Sequence, residues 1–240
     1  MLETIVAQDI SLPQLKDKFG LEPTHDEQLF LEWQEDLPEL NELEKQWLDR
    51  VKNDYLHLSQ YPMVEPIVKM VVLSPLLRIA DFYRPPFYLV SESDAARSWE
   101  GSAVLGVPPM SDCRGFPHER LHQDKDVQIS SEDQQTIVRG RIDILICQPQ
   151  FWIVVIEAKR AEYSLKVGIP QALAYMLANP ELQKPAFGFV TNGGEFIFIK
   201  LIREDKLQYA FSNQFSVVNR GNDLYTVARI LKHLGQLVRQ

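Results

Sequence analysis

The chain has 240 residues, is 45% hydrophobic and carries a net charge of −8, a composition that predicts a globular protein with a sizeable core. No apolar run approaches the roughly 20 residues that span a bilayer, and no export signal is visible at the N-terminus. Cys113 and Cys147 lie in different sequence contexts, which argues against a disulfide scaffold. We therefore expect a cytoplasmic protein with no membrane partner.

The acidic residues are concentrated at the N-terminus. Residues 1–60 contain 14 Asp and Glu and 5 Lys and Arg, so their net charge is −9 and that of residues 61–240 is +1. This division predicts an acidic extension over 1–60 and a main domain over 61–240. The near-neutral main domain is compatible with a nucleic-acid partner but does not require one.

Helical patterns dominate the first part of the chain. Ser11 as N-cap and Gly20 as stop predict a short helix. A longer amphipathic helix is predicted by apolar residues at three- and four-residue spacing, namely Leu40, Leu43, Trp47, Val51, Tyr55 and Leu58. A third helix, apolar on most faces, begins near Pro66, and Pro75 should kink or divide it. Glu65, at its start, is most simply explained as a first-turn acid that suits the helix dipole.

A strand in "PPFYLVSES" is followed by a stretch without sustained periodicity, which predicts a long loop over residues 94–123. Cys113, His118 and His122 lie in this loop. One Cys and two His without a fourth ligand are a weak zinc signal, and we interpret them as scattered surface residues. Three strands are then predicted, in "DVQIS", "QTIVRGRIDILIC" and "FWIVVIEAK", the last two adjacent, antiparallel and joined at "QPQ".

Charged residues lie at the ends of the last two strands. Because successive side chains of a strand point to opposite faces, Glu157 and Lys159 share one face. Asp143, on the neighbouring strand, lies at a similar distance from the turn. Two close carboxylates repel unless a cation lies between them, and hard oxygen ligands suit Mg²⁺. The alternative, a salt-bridge cluster at a sheet edge, is the commoner explanation of an isolated Glu-x-Lys.

A helix and a hairpin follow. "GIPQALAYMLANP" predicts a helix with Pro170 near its beginning and Pro180 beyond its end. Gln171 and Tyr175 lie four residues apart on one face of it, an arrangement that by itself is more often solvated or semi-buried. "AFGFVTNGGEFIFIKL" predicts two strands joined by a turn at residues 192–194.

Four of these segments occur in the order "RGRIDILI", "VVIEAKR", "PQALAYM" and "GFVTNG". In order and spacing, over about residues 62–202, the chain resembles the PD-(D/E)xK nuclease superfamily, and most closely the N-terminal nuclease domain of type I restriction enzyme R subunits. The resemblance implies an α/β fold with a restriction-endonuclease-like core, a mixed central β-sheet flanked by helices, here with an N-terminal helical extension. One departure is Ile142, which stands where the superfamily commonly has Pro.

The resemblance also implies a metal site. Asp143, Glu157 and the backbone carbonyl of Ala158 would bind Mg²⁺, for which Mn²⁺ can substitute. Lys159 would orient or deprotonate the attacking water and offset charge in the transition state. Glu65 matches a helical Glu that faces the metal in such enzymes, so we include it among the catalytic residues.

Further residues would serve the substrate. Gln171 would orient catalytic side chains or contact the phosphate, and Tyr175 would support the same site. Basic residues at the rim could hold phosphates, although each is individually explained as a solvated surface charge: Arg139, Arg141, Arg160 and Lys166.

The expected function is a Mg²⁺-dependent nuclease that hydrolyses phosphodiester bonds of DNA. The chain has no room for the helicase motor that follows this domain in type I enzymes, so we expect no use of ATP. The alternative is a catalytically inactive module that keeps the nuclease fold for nucleic-acid binding or assembly, with the acidic N-terminal helices as a homo-oligomer surface. Asp143, Glu157 and Lys159 together favour the enzyme, because a binding module has little reason to keep costly clustered charges. We also expect residues 1–60 to pack as helices away from this cluster.

Overall fold

The computed structural model describes residues 3–24, 26, 28–91, 127–130, 136–140, 142–148, 151–179 and 184–237. The predicted loop over 94–123, with Cys113, His118 and His122, lies outside the described residues. The described helices are α1 (Leu12–Phe19), α2 (Glu42–Leu58), α3 (Glu65–Val68), α4 (Ser74–Ile79), α5 (Leu165–Leu177) and α6 (Leu224–Leu237). A 3₁₀ turn spans Ala7–Asp9, and a π-helical turn spans Lys69–Leu73.

Within the described residues, the strands form one large and one small sheet. The strands are β1 (Glu3–Val6), β2 (Glu22–Pro23), β3 (Tyr88–Ser91), β4 (Val127–Ser130), β5 (Thr136–Gly140), β6 (Ile144–Gln148), β7 (Phe151–Ala158), β8 (Ala186–Thr191), β9 (Glu195–Arg203), β10 (Leu207–Phe211) and β11 (Phe215–Ser216). The large sheet has the order β2-β10-β9-β8-β7-β6-β3, with β11 also paired to β9, and the small sheet has the order β1-β5-β4.

The large sheet is mixed. β7 and β8 run parallel, as do β2 and β10, whereas β6–β7 and β8–β9 are antiparallel. Parallel neighbours need a crossover connection, and α5 supplies it between β7 and β8. The α/β class with a mixed central sheet flanked by helices is therefore confirmed.

Two apolar cores cover the two faces of the large sheet. Side chains alternate along β8, so Phe189 packs with α2, α4 and α6 on one face, while Val190 packs with α5 on the other. Burying side chains of this size contributes about 1.5–3 kcal/mol each. Both faces are thus closed, and polar residues of the central strands reach solvent or ligands only at the strand ends. Across the described part of the chain, no helix is both long and apolar enough to cross a membrane.

The N-terminal extension contains the predicted helices and two short strands. In α1, Ser11 Oγ accepts a hydrogen bond from Gln14 N–H, and Gln14 Oε1 accepts one from Ser11 N–H. Gly20 ends the helix at φ +67°, in the left-handed region that favours glycine. β1 pairs with β5 at the edge of the small sheet, and β2 pairs with β10 at the edge of the large sheet. The extension is therefore not wholly helical, because its two short strands add to the open edges of both sheets.

The buried stripe of α2 differs from the predicted one. Val51 and Tyr55 are buried as expected, but Leu43 and Trp47 are exposed, and Leu48 is buried instead. The packed face therefore runs through positions 48, 51 and 55, which follow the three- and four-residue spacing of one helical face.

The third predicted helix is divided at Pro75, as expected. Pro75 is the second residue of α4, and the π-helical turn lies directly before it. In that turn Ser74 N–H donates to Lys69 O, five residues back. Proline lacks an N–H and its ring crowds the carbonyl four residues earlier, so a widened turn relieves the conflict.

Two sequence-based boundaries are wrong. The segment "QTIVRGRIDILIC" is not one strand: β5 belongs to the small sheet and β6 to the large one, because the chain crosses between sheets before Ile144. Pro170 lies inside α5 and not near its beginning, because Ser164 caps the helix by accepting from Lys166 N–H. Gln171, in consequence, lies near the middle of a helix that the protein buries on most sides.

Candidate active site

A register shift in the β6–β7 hairpin decides which residues of the two strands face each other. Beyond the shift, Ile144 pairs with Ile156, and the same register extended by one residue sets Asp143 opposite Glu157. Without the shift, Asp143 would stand opposite Ile156. Residues directly opposite on antiparallel neighbours lie on the same face of a sheet. The backbone thus brings the two predicted acidic positions together, although the side chain of Glu157 lies outside the described residues.

Asp143 is the buried acid of the site, with 8% of its surface exposed. Its Oδ2 accepts a hydrogen bond of 2.8 Å from Ala158 N–H, which fixes the carboxylate against the end of β7. Its Oδ1 lies 3.0 Å from Lys69 Nζ, and the same ammonium lies 2.6 Å from Glu65 Oε1. Lys69 therefore bridges two carboxylates, one on the sheet and one on the helix that begins at Glu65.

In this bridge, burial and ion pairing shift the pKa values of Asp143 and Lys69 in opposite directions. Burial raises the pKa of Asp143 to about 6, against the lowering effect of Lys69 and with a further rise from Glu65. For Lys69, burial acts to lower the pKa, but the charges and hydrogen bonds of Asp143 and Glu65 outweigh burial and raise it. The ammonium consequently stays protonated at neutral pH.

A second group of side chains begins at Lys159, directly after β7. Its backbone N–H donates to Thr191 O at 2.8 Å, and its Nζ donates to Gln171 Oε1 at 2.8 Å. Gln171 Nε2 in turn donates to Tyr175 Oη at 2.9 Å. Gln171 is 4% exposed and Tyr175 is 1% exposed, so these partners on α5 are firmly held. Since an ammonium can only donate, the amide oxygen of Gln171 must face it, and the two residues orient each other.

The backbone next to Tyr175 is closely packed. A Cβ atom added to Gly140 would overlap Ala7 and lie 2.6 Å from Tyr175 Oη. The N-terminal extension thus contacts the small sheet close to the helix that carries Gln171. Only glycine lets β5 approach α5 this closely.

The β8–β9 turn supports the loop that carries Lys159. Asn192 Oδ1 accepts from Gly194 N–H, and Asn192 Nδ2 donates to Tyr163 O at 2.8 Å. Gly193 has φ +86°, and a Cβ atom there would lie 3.0 Å from Val68 Cγ1 on α3. The turn therefore lies between the loop after β7 and the helix that carries Glu65.

The donor set fits a hard divalent cation. Among the side chains that the structure describes, no three His, Cys, Asp or Glu residues form a metal-binding group, and the side chain of Glu157 is not among them. Two carboxylates, those of Asp143 and Glu65, nevertheless flank one position that already holds the positive charge of Lys69. Carboxylate oxygens around a cation are the ligands that Mg²⁺ prefers. Glu157 and the carbonyl of Ala158 stay predicted ligands.

The rim residues are placed only in part. Arg160 and Lys166 are exposed and lie on the loop after β7 and the first turn of α5. Arg139 lies in β5, but its side chain, like the whole of Arg141, lies outside the described residues. Sequence reasoning missed Lys69. The available signal was a Lys four residues after Glu65 on an otherwise apolar helix, a spacing at which opposite charges meet.

Comparison with known families adds an independent result. Residues 108–207 match the family described as "Type I restriction enzyme R protein N terminus". Among curated proteins, no sequence matches the chain. The matched region includes Asp143, Glu157, Lys159, Gln171 and Tyr175, whereas α3 precedes it. The resemblance that the sequence motifs indicate is thereby confirmed: residues 108–207 are similar to the N-terminal domain of type I restriction enzyme R subunits, and the mixed sheet flanked by helices is consistent with a restriction-endonuclease-like fold.

Proposed function

We propose that the chain is a Mg²⁺-dependent nuclease that hydrolyses phosphodiester bonds of DNA. The observation that carries the proposal is that two carboxylates, Asp143 and Glu65, meet around the ammonium of Lys69 at the open end of the β6–β7 hairpin. The ammonium of Lys159 is held nearby in sequence, one residue beyond the Ala158 N–H that binds Asp143. The family match supports a restriction-enzyme-related role.

Asp143, Glu157 and the carbonyl of Ala158 would hold the metal, with Glu65 facing it. When bound, Mg²⁺ supplies a Lewis acid for the scissile phosphate and lowers the pKa of a water ligand. The protein's own contribution begins with Asp143, whose second oxygen is fixed by Ala158 N–H so that the first can face a cation. Such a fixed ligand needs no reorganisation when the metal binds.

Lys159 would act on the reacting groups. Its ammonium, tethered by Gln171, can orient the attacking water and offset negative charge that develops on the phosphate. Tyr175 restrains Gln171, so it acts on Lys159 through the amide. We expect the two α5 residues to contribute orientation, and Lys159 to contribute charge.

DNA is the proposed substrate. The acidic residues are concentrated in the extension, and residues 61–240 have a net charge of +1. Arg160 and Lys166 are exposed on the segment that follows Lys159, where they can contact phosphates on either side of a cleavage site. Arg139 and Arg141 are proposed for the same role.

One experiment tests the proposal. Labelled single-stranded and duplex DNA are incubated with the wild-type protein in Mg²⁺, Mn²⁺ or EDTA, and in parallel with Asp143→Ala. We expect cleavage only with divalent metal, and none by Asp143→Ala, which lacks a predicted ligand. Asp54→Asn, a change of an exposed acid on α2, is the control and should cleave as the wild type does.

Two results would change the conclusion. Equal cleavage by the wild type and Asp143→Ala would identify a contaminating nuclease and refute the proposed site. DNA binding without cleavage in any metal would favour the alternative, an inactive binding module that keeps the nuclease fold.

A further inference from the structure

We propose that Lys69 is an internal counter-ion that holds Asp143 and Glu65 together in the metal-free protein, and that a divalent cation must displace it in order to bind. The inference rests on the proposed function, because it assigns the same two carboxylates to the metal. It adds a residue that precedes the region matched by the family.

The contacts of Lys69 make the ammonium and the metal mutually exclusive. Nζ lies 2.6 Å from Glu65 Oε1 and 3.0 Å from Asp143 Oδ1. Asp143 Oδ2 is engaged by Ala158 N–H, so Oδ1 is the oxygen directed at the cation position. A Mg²⁺ ion binds carboxylate oxygen at about 2.0–2.1 Å. An ion ligated by Asp143 Oδ1 on this side would therefore be in direct contact with the ammonium, and two positive charges at that distance repel each other.

The position of Lys69 allows it to leave. Its side chain is 22% exposed, so the ammonium is not sealed in the core. A flexible four-carbon stem lets it reorient without movement of the backbone. The residue also begins the π-helical turn, a feature that often marks functional sites in helices.

The arrangement has a consequence for the metal-free state. Without a cation, Asp143 and Glu65 would repel each other at the end of the sheet, and Lys69 removes that repulsion. Metal binding then exchanges one cation for another, so its measured affinity is lower than the carboxylates alone would give. Removing the ammonium should therefore strengthen metal binding.

The test is calorimetric titration with Mg²⁺, and separately with Mn²⁺, in the absence of DNA. Relative to wild type, Lys69→Met should bind the metal about tenfold more tightly, because the competing charge is gone. Lys69→Arg keeps the charge and should not show this gain. Lys45→Met, which removes a lysine that pairs with the Glu42 carboxylate on the surface of α2, is the matched control and should leave the affinity unchanged.

Thermal unfolding supplies a second readout. Metal-free Lys69→Met should melt below wild type, and saturating Mg²⁺ should raise its melting temperature by more than it raises that of wild type. If Lys69→Met does not fold, Lys69→Gln keeps a polar group between the carboxylates and takes its place in both measurements.

The outcomes separate the two proposals. Metal binding that is lost in Asp143→Asn but equal or weaker in Lys69→Met would overturn the displacement of Lys69 and leave the metal site intact. No metal binding by wild type and Lys69→Met alike would overturn both the metal site and the role of Lys69.

Discussion

Replacing Asp143 by Asn tests how the site balances burial against pairing. Asn keeps the shape of the side chain and removes its titration. In the native protein, burial raises the pKa of Asp143 from 3.8 to about 6 in spite of the neighbouring ammonium. The ionised carboxylate is therefore less stable in the folded chain than in the unfolded one, and Asp143 lowers the stability of the metal-free protein at neutral pH.

The magnitude follows from linkage. The rise in pKa corresponds to a cost of about 3 kcal/mol when Asp143 is ionised in both states. This cost is fully present above the folded pKa of about 6 and disappears as the pH falls below the unfolded value of 3.8. The stability of Asp143→Asn relative to wild type should thus increase by about 2–3 kcal/mol between pH 4 and pH 7.

The assay is urea unfolding of both proteins in EDTA at several pH values, followed by circular dichroism. The amide of Asn can change the free energy of unfolding by a constant amount through packing. This does not affect the result, because the test uses only the change of the difference with pH. Asp54→Asn, a change of an exposed acid on α2, is measured in parallel as the control. If the stability of Asp143→Asn relative to wild type decreased as the pH rose, ion pairing with Lys69 would outweigh burial, and the expected sign would be wrong.

Four further results are expected. Lys159→Met should keep metal binding yet cleave about 100-fold more slowly, because charge at the reacting groups is lost; wild-type rates would contradict its role. Gln171→Ala should lower the cleavage rate at saturating DNA about tenfold, because Gln171 only orients Lys159. A loss of rate as large as that of Lys159→Met would instead indicate a direct catalytic role. Gly140→Ala should cost about 1–3 kcal/mol in urea unfolding, because the methyl group has no space; unchanged stability would refute the close packing. Burial raises the pKa of Cys147 to about 12, so in a Cys113→Ser variant Ellman's reagent should label the thiol only on unfolding, and rapid labelling of the native protein would disprove it.

Much of the fold follows from local sequence. Ser11 and Gly20 mark the ends of α1, because capping needs only side chains and backbone angles within a few residues. Residues 192–194 form the turn of the β8–β9 hairpin for the same reason, with Gly193 at a positive φ. The exposed face of α2 was predicted less well, since Leu43 and Trp47 fit the helical period but other elements cover only the side of Leu48.

The sequence by itself predicted which residues could form a nuclease site. Asp143, Glu157 and Lys159 stand out because charges at the ends of apolar strands are costly without a purpose, and that contrast is visible in one dimension. Gln171 and Tyr175 were predicted from the resemblance to the nuclease superfamily, and their spacing places them on one helical face, but their deep burial was not predicted.

Only the tertiary structure decided how these residues meet. The register shift in β7 places Asp143 opposite Glu157, and counting from the turn does not reveal it, because one extra residue reverses the facing of every position beyond it. Lys69 lies 74 residues from Asp143 in the chain, and no local pattern links them. Their contact depends on how a divided helix packs against the end of the sheet, and packing is a property of the whole fold, not of either segment.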